Sequence, residues 1–299
     1  MDGSAATSRE ECLLCKARSR SRPYPGALPW LVRCSSCGLA FADPQPTDDE
    51  LATIYDEHYY EQFGFVEGPH AAHEGLARTK QATYGRMLER AAPEIRSPGR
   101  RLLDVGCGLG FSLLAAKAAG FDATGLDPLA LAEPDARPGR HILRGDLEHH
   151  RPEVSYDLLS MIDVIEHVRD PLHSLARARA ILADGGVLLL ATNDRSSPGA
   201  RVMGSRWTHY HRAHLWFFDP HTLRTLCERA GFEVVTAEGA HRVYNLEYIA
   251  SILARGDNFP LAQRVARGLL AVVPQRVQAM AWPPLPEGFL VVARKPLAR

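Results

Sequence analysis

The sequence predicts an α/β fold, in which a doubly wound and mostly parallel sheet of seven strands follows a small zinc ribbon. Strand-like and helix-like segments alternate from residue 101 onward, which is typical of parallel sheets with helices on both faces. A glycine-rich turn over 106–110 follows the first apolar strand, and two C-x2-C pairs lie near the start of the chain. We expect residues 1–46 to form a zinc-ribbon-like head with its linker, and residues 47–299 to form the α/β domain.

Length, composition and charge limit the class of protein. The 299 residues are enough for one large domain and a small one, and 45% hydrophobic with 23% charged residues is ordinary for a globular protein. A formal net charge of zero gives no overall field that attracts nucleic acid or an anionic membrane. No apolar run approaches the roughly 20 residues of a membrane span, and the polar residues 1–11 lack the apolar core of a signal peptide. The expected location is the cytoplasm, without a membrane partner.

Four of the six cysteines define the head. Cys12 and Cys15 form one C-x2-C pair, and Cys34 and Cys37 form the second after the gap 16–33, a spacing typical of zinc sites. Two such turns can close a tetrahedron of four thiolates, which leaves no open position for catalysis. A disulfide pair or a redox motif is the alternative, and a cytosolic location disfavours structural disulfides. We therefore expect structural zinc, which stabilises a segment too short to bury its own core.

Basic residues between and beside the cysteine pairs allow two interpretations, a phosphate-binding ribbon or a solvated loop. The residues concerned are Lys16, Arg18, Arg20, Arg22 and Arg33. Glu10 and Glu11 beside them and the scarcity of aromatic residues favour the solvated loop. Nucleic acid is therefore not the expected partner.

The connection to the large domain carries a helix start. Pro44 and Pro46 indicate an extended segment. Thr47-Asp-Asp-Glu50 is a capping box, which predicts a helix that begins near Asp48.

The large domain follows with alternating strands and helices. The predicted strands are the apolar segments 101–105, 121–126, 141–144, 156–162, 186–192, 232–237 and 288–293. The predicted helices lie at 110–119, 170–182 and 220–230. The span 244–286 before the last strand is a helix-like insert without a recognised motif.

The ligand cleft is expected between the first and fourth of these strands. Parallel sheets bind ligands at the carboxyl ends of the strands where the strand order reverses, which is here if the order begins 3-2-1-4. The glycine turn follows the first strand and the segment Asp163-Val-Ile-Glu-His167 follows the fourth, so both should face one cleft. The turn is not the dinucleotide fingerprint G-x-G-x-x-G, because Phe111 stands at the position of its last glycine. A nucleoside without a pyrophosphate is the expected ligand.

With these motifs at successive strand ends, the chain resembles the class I S-adenosylmethionine-dependent methyltransferases. The motifs are Asp104-x-Gly106-x-Gly108-x-Gly110, Gly125-Leu-Asp127-Pro128, Gly145-Asp146-Leu147 and Asp163-x-x-Glu166-His167. The resemblance covers residues 12–235 and implies a Rossmann-like fold whose last strand is antiparallel to the rest. It extends to a branch with a cysteine-rich head, in which an Ile-Tyr-Asp-x-x-Tyr-Tyr segment lies over the cofactor.

The resemblance implies a set of residues that bind the cofactor. Asp127 is expected to bind the ribose hydroxyls and Asp146 the adenine amino group, with Leu147 packed on the ring. Asp104 either orients the turn or meets the amino acid end of the cofactor, and Tyr59 or Tyr60 either contacts a ligand or packs on the domain. The complete predicted set is Asp104, Gly106, Gly108, Gly110, Asp127, Pro128, Asp146, Leu147, Asp163 and Tyr59.

Histidines are the candidate catalytic residues. An acceptor such as an alcohol or phenol must lose a proton, and the imidazole pKa lies near neutrality. His167 follows the fourth strand, whereas His211 and His214 lie in the loop after the fifth, where Ala213 replaces the glutamate that relatives often have. The alternative for each is a hydrogen-bonded structural histidine.

The same side of the cleft allows two more interpretations. Asp163, Glu166, His167 and a downstream histidine can bind a divalent ion, as RNA-end methyltransferases with a Glu-x-x-Glu-His arrangement do, although relatives without a metal share the pattern. A group of aromatic residues can line an acceptor pocket or form the core of the loop. These residues are Trp207, Tyr210, Trp216, Phe217 and Phe218.

We predict an enzyme that transfers a methyl group from S-adenosylmethionine to an O, N or C atom of a small molecule, such as a secondary metabolite or a sugar. An RNA- or protein-modifying methyltransferase that uses the zinc ribbon for recognition is the first alternative, and a module that binds the cofactor without turnover is the second. The insert 244–286 is expected to cover the acceptor or to form the surface of a homodimer.

Overall fold

The computed structural model describes residues 8–55, 70–129, 139–246, 249, 264, 265, 268, 270–278, 280, 282 and 285–298. Its strands are β1 (Arg20–Ser21), β2 (Leu31–Cys34), β3 (Ala40–Ala42), β4 (Arg101–Val105), β5 (Asp122–Asp127), β6 (His141–Arg144), β7 (Tyr156–Ile162), β8 (Leu182–Thr192), β9 (Trp216–Phe217), β10 (Glu233–Arg242) and β11 (Leu285–Arg294). Its helices are α1 (Asp48–Ile54), α2 (His70–Ala91), α3 (Phe111–Ala118), α4 (Pro171–Ile181), α5 (Pro198–Met203), α6 (Pro220–Arg229) and α7 (Gln275–Gln278), with 3₁₀ turns at Ala92–Glu94 and Gly204–Arg206. The predictions for Tyr59 and Tyr60 and much of the insert 244–286 fall outside the described residues.

The large sheet confirms the predicted fold class. Its strand order is β10-β11-β8-β7-β4-β5-β6, and β4 to β8 run parallel to one another. The last strand, β11, is antiparallel to both β8 and β10, as the resemblance implies. The chain leaves β4 toward β5 on one side and returns as β7 on the other, so the order reverses between β4 and β7.

Local sequence determines where the helices begin. The Thr47 hydroxyl accepts a hydrogen bond from the Glu50 amide (3.1 Å) and the Glu50 carboxylate accepts one from the Thr47 amide (2.7 Å), which is the predicted capping box of α1. Asp219 forms a capping box with Thr222 at the start of α6, whereas the Asp170 carboxylate at the start of α4 only accepts hydrogen bonds from the amides of Leu172 and His173. Each aspartate is followed by a proline at the first helical position. In the part of the chain that is described, no helix combines the length and apolarity that crossing a membrane requires.

Three strands, β8, β10 and β11, are longer than their apolar patterns predict, and β11 begins at Leu285 rather than at residue 288. β10 continues beyond residue 237 because its polar second half pairs with β11 as far as Arg242 opposite Leu285. β8 begins at Leu182, where it already pairs with Tyr156 of β7. Backbone pairing with a neighbouring strand therefore extends β8 and β10 through residues whose side chains give no strand signal.

The head contributes an antiparallel sheet that was not predicted. Its strand order is β1-β2-β3-β9, so its fourth strand comes from the large domain. Ala40 lies opposite Phe217 and Phe41 opposite Trp216. Residues from both regions also share one apolar core, which includes Leu39, Phe41, Trp216 and Phe218. The expected division at residues 46 and 47 stays a prediction, although apolar packing crosses it.

Candidate active site

A cleft of about 1240 Å³ opens where β4 and β7 end. Residues 106–109 of the glycine turn form one wall and the segment 163–170 forms the opposite wall. The pairing of Val105 with Leu126 and with Met161 places the ends of β4, β5 and β7 at one edge of the sheet. The two most distinctive motifs therefore face each other at the point where such sheets bind ligands.

Most of the predicted site residues line this cleft. They are Gly106, Gly108, Asp127, Pro128, Asp146, Leu147, Asp163, His167, His211 and His214. Asp104 and Gly110 lie in the layer beneath the turn, where Gly110 caps the start of α3. Tyr59 is outside the described residues.

The glycine turn requires glycine for two physical reasons. Gly106 and Gly108 have φ angles of 68° and 52°, in the left-handed region that other residues rarely adopt. A Cβ atom on Gly106 would stand 2.4 Å from Cγ2 of Val164 on the opposite wall. The absence of side chains therefore lets the two walls approach and leaves main chain facing the cleft.

Asp127 fixes the turn from the neighbouring strand. Its carboxylate accepts hydrogen bonds from the Gly108 amide (2.8 Å) and from the Leu129 amide (2.9 Å). The residue is only 3% exposed, yet it lines the cleft. A carboxylate in the lining of the cleft is a group to which the hydroxyl groups of a ligand can donate hydrogen bonds.

Asp104 lies beneath the turn and links three elements. It follows Leu103 in β4 and accepts hydrogen bonds from the hydroxyls of Ser112 in α3 and Ser160 in β7. Burial raises the pKa of Asp104 to about 6, although both hydroxyls favour the ionised form. These contacts correspond to the orienting role, the first of the two roles considered for this residue.

Asp146 and Leu147 lie beside Asp127 at the end of β6. The Asp146 carboxylate accepts a hydrogen bond from the His149 amide (2.9 Å) and contacts Nδ1 of the same residue (2.7 Å). Partial burial opposes ionisation, but the bonds from His149 outweigh it and lower the pKa of Asp146. Leu147 is 5% exposed and adds apolar surface to the cleft.

Asp163 forms an ion pair that the sequence did not reveal. Its backbone has a φ of 57°, and its two carboxylate oxygens accept bonds of 2.6 and 2.5 Å from the guanidinium of Arg242 at the end of β10. Burial raises the pKa of Asp163, but the charge of Arg242 outweighs it and holds that pKa at about 2. Any contact of Asp163 with a cofactor would be made by an ionised and already paired carboxylate.

The three predicted catalytic histidines form one cluster. The ring centroid of His214 lies 4.5 Å from that of His167 and 3.8 Å from that of His211. Nδ1 of His214 lies 2.9 Å from the His209 carbonyl, and Nδ1 of His167 lies 3.0 Å from the Ala213 carbonyl. Burial lowers the pKa of His167 to about 4 and that of His214 well below its ordinary value, so both rings are neutral at pH 7.

Backbone contacts hold the loop with these histidines against the segment after β7. The amides of Leu215 and Trp216 donate to the Glu166 carbonyl (2.8 and 3.2 Å), and the indole of Trp216 donates to the Val168 carbonyl (2.8 Å). From the head, the Ala42 amide donates to the Leu215 carbonyl (2.9 Å). The head and β7 therefore position the loop together.

Glu166 lies directly behind the histidine cluster. It is 1% exposed, and neither carboxylate oxygen has a hydrogen-bond partner among the described residues. Burial and the neighbouring charge of Asp163 raise the pKa of Glu166 to about 8. Ligand atoms of Glu166, His167 and His214 all lie within 4.8 Å of one another. The set that can hold an ion thus differs from the sequence interpretation, because Asp163 is paired with Arg242.

The four cysteines of the head have the geometry of one metal site. Cys12 and Cys37 have their sulfurs 3.5 Å apart, as do Cys15 and Cys34, and all four sulfurs lie within 4.8 Å of one another. Tetrahedral zinc with bonds of about 2.3 Å places its sulfurs about 3.8 Å apart. All four are free thiols rather than disulfides. The residues present therefore fit zinc.

The basic and aromatic residues have structural contacts. Arg20 pairs with the buried Asp43 (2.7 Å), and Arg18 pairs with Glu11 (3.2 Å). Of the five aromatic residues considered above, four are buried, and Phe217 packs with Leu31 of the head. None of these five aromatic residues is among the side chains that line the cleft, so their contacts agree with a role in the core of the loop.

Sequence reasoning missed several residues that line the cleft. They are Tyr55, Lys80, Tyr84, Arg242 and Tyr244. Lys80 and Tyr84 are one helical turn apart on α2, a spacing that places both on one face. Tyr55 ends α1, and its hydroxyl lies 2.6 Å from Nδ1 of His167. The Ile-Tyr-Asp segment contains Tyr55, but the resemblance indicated only the following Tyr59 and Tyr60 as ligand contacts.

Comparison with known proteins agrees with this geometry. The family described as "Methyltransferase domain" matches residues 76–237, more than half of the chain. A ubiquinone biosynthesis O-methyltransferase of Dinoroseobacter shibae is 33% identical over 184 residues, which are 55% of this chain and 71% of that relative. A tRNA U34 carboxymethyltransferase of Geobacter sp. is 30% identical over 156 residues, which are 48% of this chain and 48% of that relative.

A solved structure shares the fold at low sequence identity. The 1,6-didemethyltoxoflavin-N1-methyltransferase of Burkholderia thailandensis, solved with 1,6-didemethyltoxoflavin and S-adenosylhomocysteine, has a TM-score of 0.51 at 16% identity. The match covers 86% of this chain and 96% of that one. The likeness concerns the arrangement of strands and helices.

Proposed function

This chain belongs to the methyltransferase-domain family and is an S-adenosylmethionine-dependent methyltransferase, and we propose that its acceptor is a small molecule. The size of the cleft carries the proposal. Its volume of about 1240 Å³ exceeds the roughly 300–1,000 Å³ of a pocket for one drug-sized ligand, so a cofactor and a second small molecule have room side by side. The relative from Dinoroseobacter shibae, named for ubiquinone biosynthesis, supports the same class of acceptor.

The cofactor would lie against the glycine turn. S-adenosylmethionine supplies an electrophilic methyl group on a sulfonium. The exposed main chain of Gly106 and Gly108 permits close approach, and Asp127 can accept hydrogen bonds from the ribose hydroxyls. Leu147 offers an apolar surface for the adenine, beside Asp146 as the acceptor for its amino group.

The acceptor would lie at the histidine end. Methyl transfer needs an aligned nucleophile and a water-poor site, and holding the reactants in line can supply roughly 7–11 kcal/mol. In the protein without a metal ion in the cleft, the neutral imidazoles of His167, His211 and His214 are proposed as the groups that can accept a proton from an acceptor hydroxyl. Whether O, N or C is methylated depends on the acceptor itself.

The head would bind structural zinc through Cys12, Cys15, Cys34 and Cys37. The fit of the four sulfurs supports this proposal. Metal analysis of the purified protein should find one zinc per chain.

Binding of S-adenosylhomocysteine by calorimetry tests the cofactor assignment, with Asp127→Ala as the variant. Loss of a charged hydrogen-bond partner should weaken binding by roughly 1.5–3 kcal/mol. Asp122→Ala is the matched control, since Asp122 is an exposed aspartate at the start of the same strand. Equal affinity in both variants, or uptake of a pyridine dinucleotide instead, would contradict the assignment. Transfer of labelled methyl to a panel of phenols, alcohols, amines and nucleic acids then tests the acceptor class.

A further inference from the structure

We propose that Glu166, His167 and His214 form a second metal site, which binds one divalent first-row transition-metal ion at the wall of the cleft. The site is separate from the four cysteines of the head. It lies in the cleft described above, but the binding of an ion there does not require turnover.

The three side chains are close enough to share one ion. Their ligand atoms all lie within 4.8 Å of one another. Nitrogen and oxygen ligands bind such ions at about 2.1 Å, so side-chain shifts of about 1 Å bring all three to one centre. His167 and His214 line the open cleft, so rotation of their side chains accommodates shifts of this size toward the buried Glu166.

The hydrogen bonds of the two histidines leave the correct nitrogen available. Nδ1 of His214 lies 2.9 Å from the His209 carbonyl and Nδ1 of His167 lies 3.0 Å from the Ala213 carbonyl. A carbonyl can only accept, so Nδ1 of His214 carries the hydrogen and its Nε2 keeps a lone pair. Nδ1 of His167 also lies 2.6 Å from the Tyr55 hydroxyl, and the tautomer that donates to Ala213 leaves the lone pair on Nε2 of His167. A backbone carbonyl on the other nitrogen is the usual second partner of a histidine that binds a metal.

The Glu166 carboxylate is compensated only in part by its neighbours, the Thr192 hydroxyl and the charge of Arg242. Glu166 is 1% exposed and both its oxygens are without a hydrogen bond in the described part of the chain. Burial of an unpaired carboxylate costs several kcal/mol or forces it to take up a proton. Arg242 meets this need only in part, because its bidentate contact is with Asp163. A bound cation would compensate Glu166.

The donor set indicates the class of ion. Two imidazoles and one carboxylate with open positions are typical of iron(II) and related first-row ions, whereas calcium and magnesium prefer oxygen ligands alone. His167 and His214 line the cleft, so the open positions would face the space assigned to the acceptor. An oxygen atom of a bound small molecule is the ligand that these positions would take.

Manganese(II) binding to the full chain with zinc in its head tests the site. Electron paramagnetic resonance should show one saturable manganese site per chain. Glu166→Gln and His214→Gln should each weaken binding at least tenfold. Glu153→Gln and His221→Gln are matched controls on exposed residues and should bind like the unmodified protein. Zinc analysis of the same samples should show an unchanged zinc content, which excludes the replacement of zinc by manganese at the four cysteines.

The absence of saturable manganese binding, or equal binding by all four variants, would overturn the proposal. Near-ultraviolet circular dichroism checks that the variants are folded, and His214→Gln carries the test if Glu166→Gln does not fold. Affinity for S-adenosylhomocysteine is measured in parallel. Cofactor binding without manganese binding would reject the metal site alone, whereas manganese binding without cofactor binding would reject the proposed function alone.

Discussion

The two ends of the cleft are built in different ways. The cofactor side, meaning Gly106, Gly108, Asp127, Asp146 and Leu147, consists of residues that directly follow parallel strands. The acceptor side, meaning Tyr55, His167, His211 and His214, is assembled from the end of α1, the segment after β7 and a loop beyond β8. The first is a local consequence of strand and turn, and the second depends on tertiary contacts. The acceptor side should therefore be the easier of the two to disrupt.

Removal of zinc should have the largest effect, and it should affect the acceptor side of the cleft but not the cofactor side. The head has little core apart from the one it shares with Trp216, so loss of the metal should unfold β1 to β3 and release β9. Hydrogen exchange should increase over residues 40–42 and 209–217, and turnover should be lost. Affinity for S-adenosylhomocysteine should change little.

Cys34→Ser tests the same effect without a chelator, with Ser36→Ala, at an exposed position between the second pair of cysteines, as its control. Unchanged exchange at β9 in the zinc-free protein would show that the head does not support the acceptor side.

Asp104→Asn should reveal how the cofactor side responds to pH. The folded protein holds the proton of Asp104 with a pKa of about 6, above the value of 3.8 for an ordinary aspartate. The stabilisation is therefore complete below about pH 3.8 and is lost as the pH rises through 6, a change of about 3 kcal/mol. Urea unfolding from pH 4 to 7 should show the unmodified protein losing stability relative to the variant as the pH rises. A constant difference would contradict the raised pKa.

Gly106→Ala should destabilise the cofactor side by roughly 1–3 kcal/mol from backbone strain, and by more from contact with Val164. Gly120→Ala is the matched control, since Gly120 has a φ of 82° but nothing within 4 Å of its added Cβ. For both variants, urea unfolding measures the stability and calorimetry measures the affinity for S-adenosylhomocysteine. If the two variants lose the same stability and neither loses affinity, the close approach of the walls is not required.

Tyr55→Phe should have the smallest effect, and it should be confined to the acceptor side. It removes a hydroxyl that lies 2.6 Å from Nδ1 of His167. Loss of one hydrogen bond is worth roughly 0.5–1.5 kcal/mol, which predicts a several-fold lower turnover with unchanged cofactor affinity. Tyr24→Phe, in the apolar cluster of the head, should leave both unchanged. A loss of cofactor affinity in Tyr55→Phe would show that the two ends are not independent.

The same division explains what the sequence could predict. The bounds of β4, β6 and β7 are as predicted, because apolar runs bounded by turn residues are local signals. The sequence also predicted that the glycine turn and the segment after β7 face each other, because parallel sheets bind ligands where the strand order reverses. The capping box of α1 depends on residues three positions apart, so it too was readable.

The contacts that sequence reasoning missed join distant residues. The hydroxyl of Tyr55 meets His167 across 112 positions, and Arg242 meets Asp163 across 79. A strand of two residues such as β9 is too short to show any period. Nothing in the vicinity of Trp216 and Phe217 indicates that their backbone completes a sheet of the head, because only the folded large domain brings them there.

The pairing of β3 with β9 also sets an order of assembly during synthesis. Ala40 and Phe41 leave the ribosome long before Trp216 and Phe217 have been made, so the head must wait for a partner strand that is synthesised much later. Domains usually fold from the N-terminus onward as they emerge. Here the nascent head would keep Leu39 and Phe41 uncovered until the central sheet is nearly complete. The head is therefore synthesised before the large sheet but completes its folding only with it.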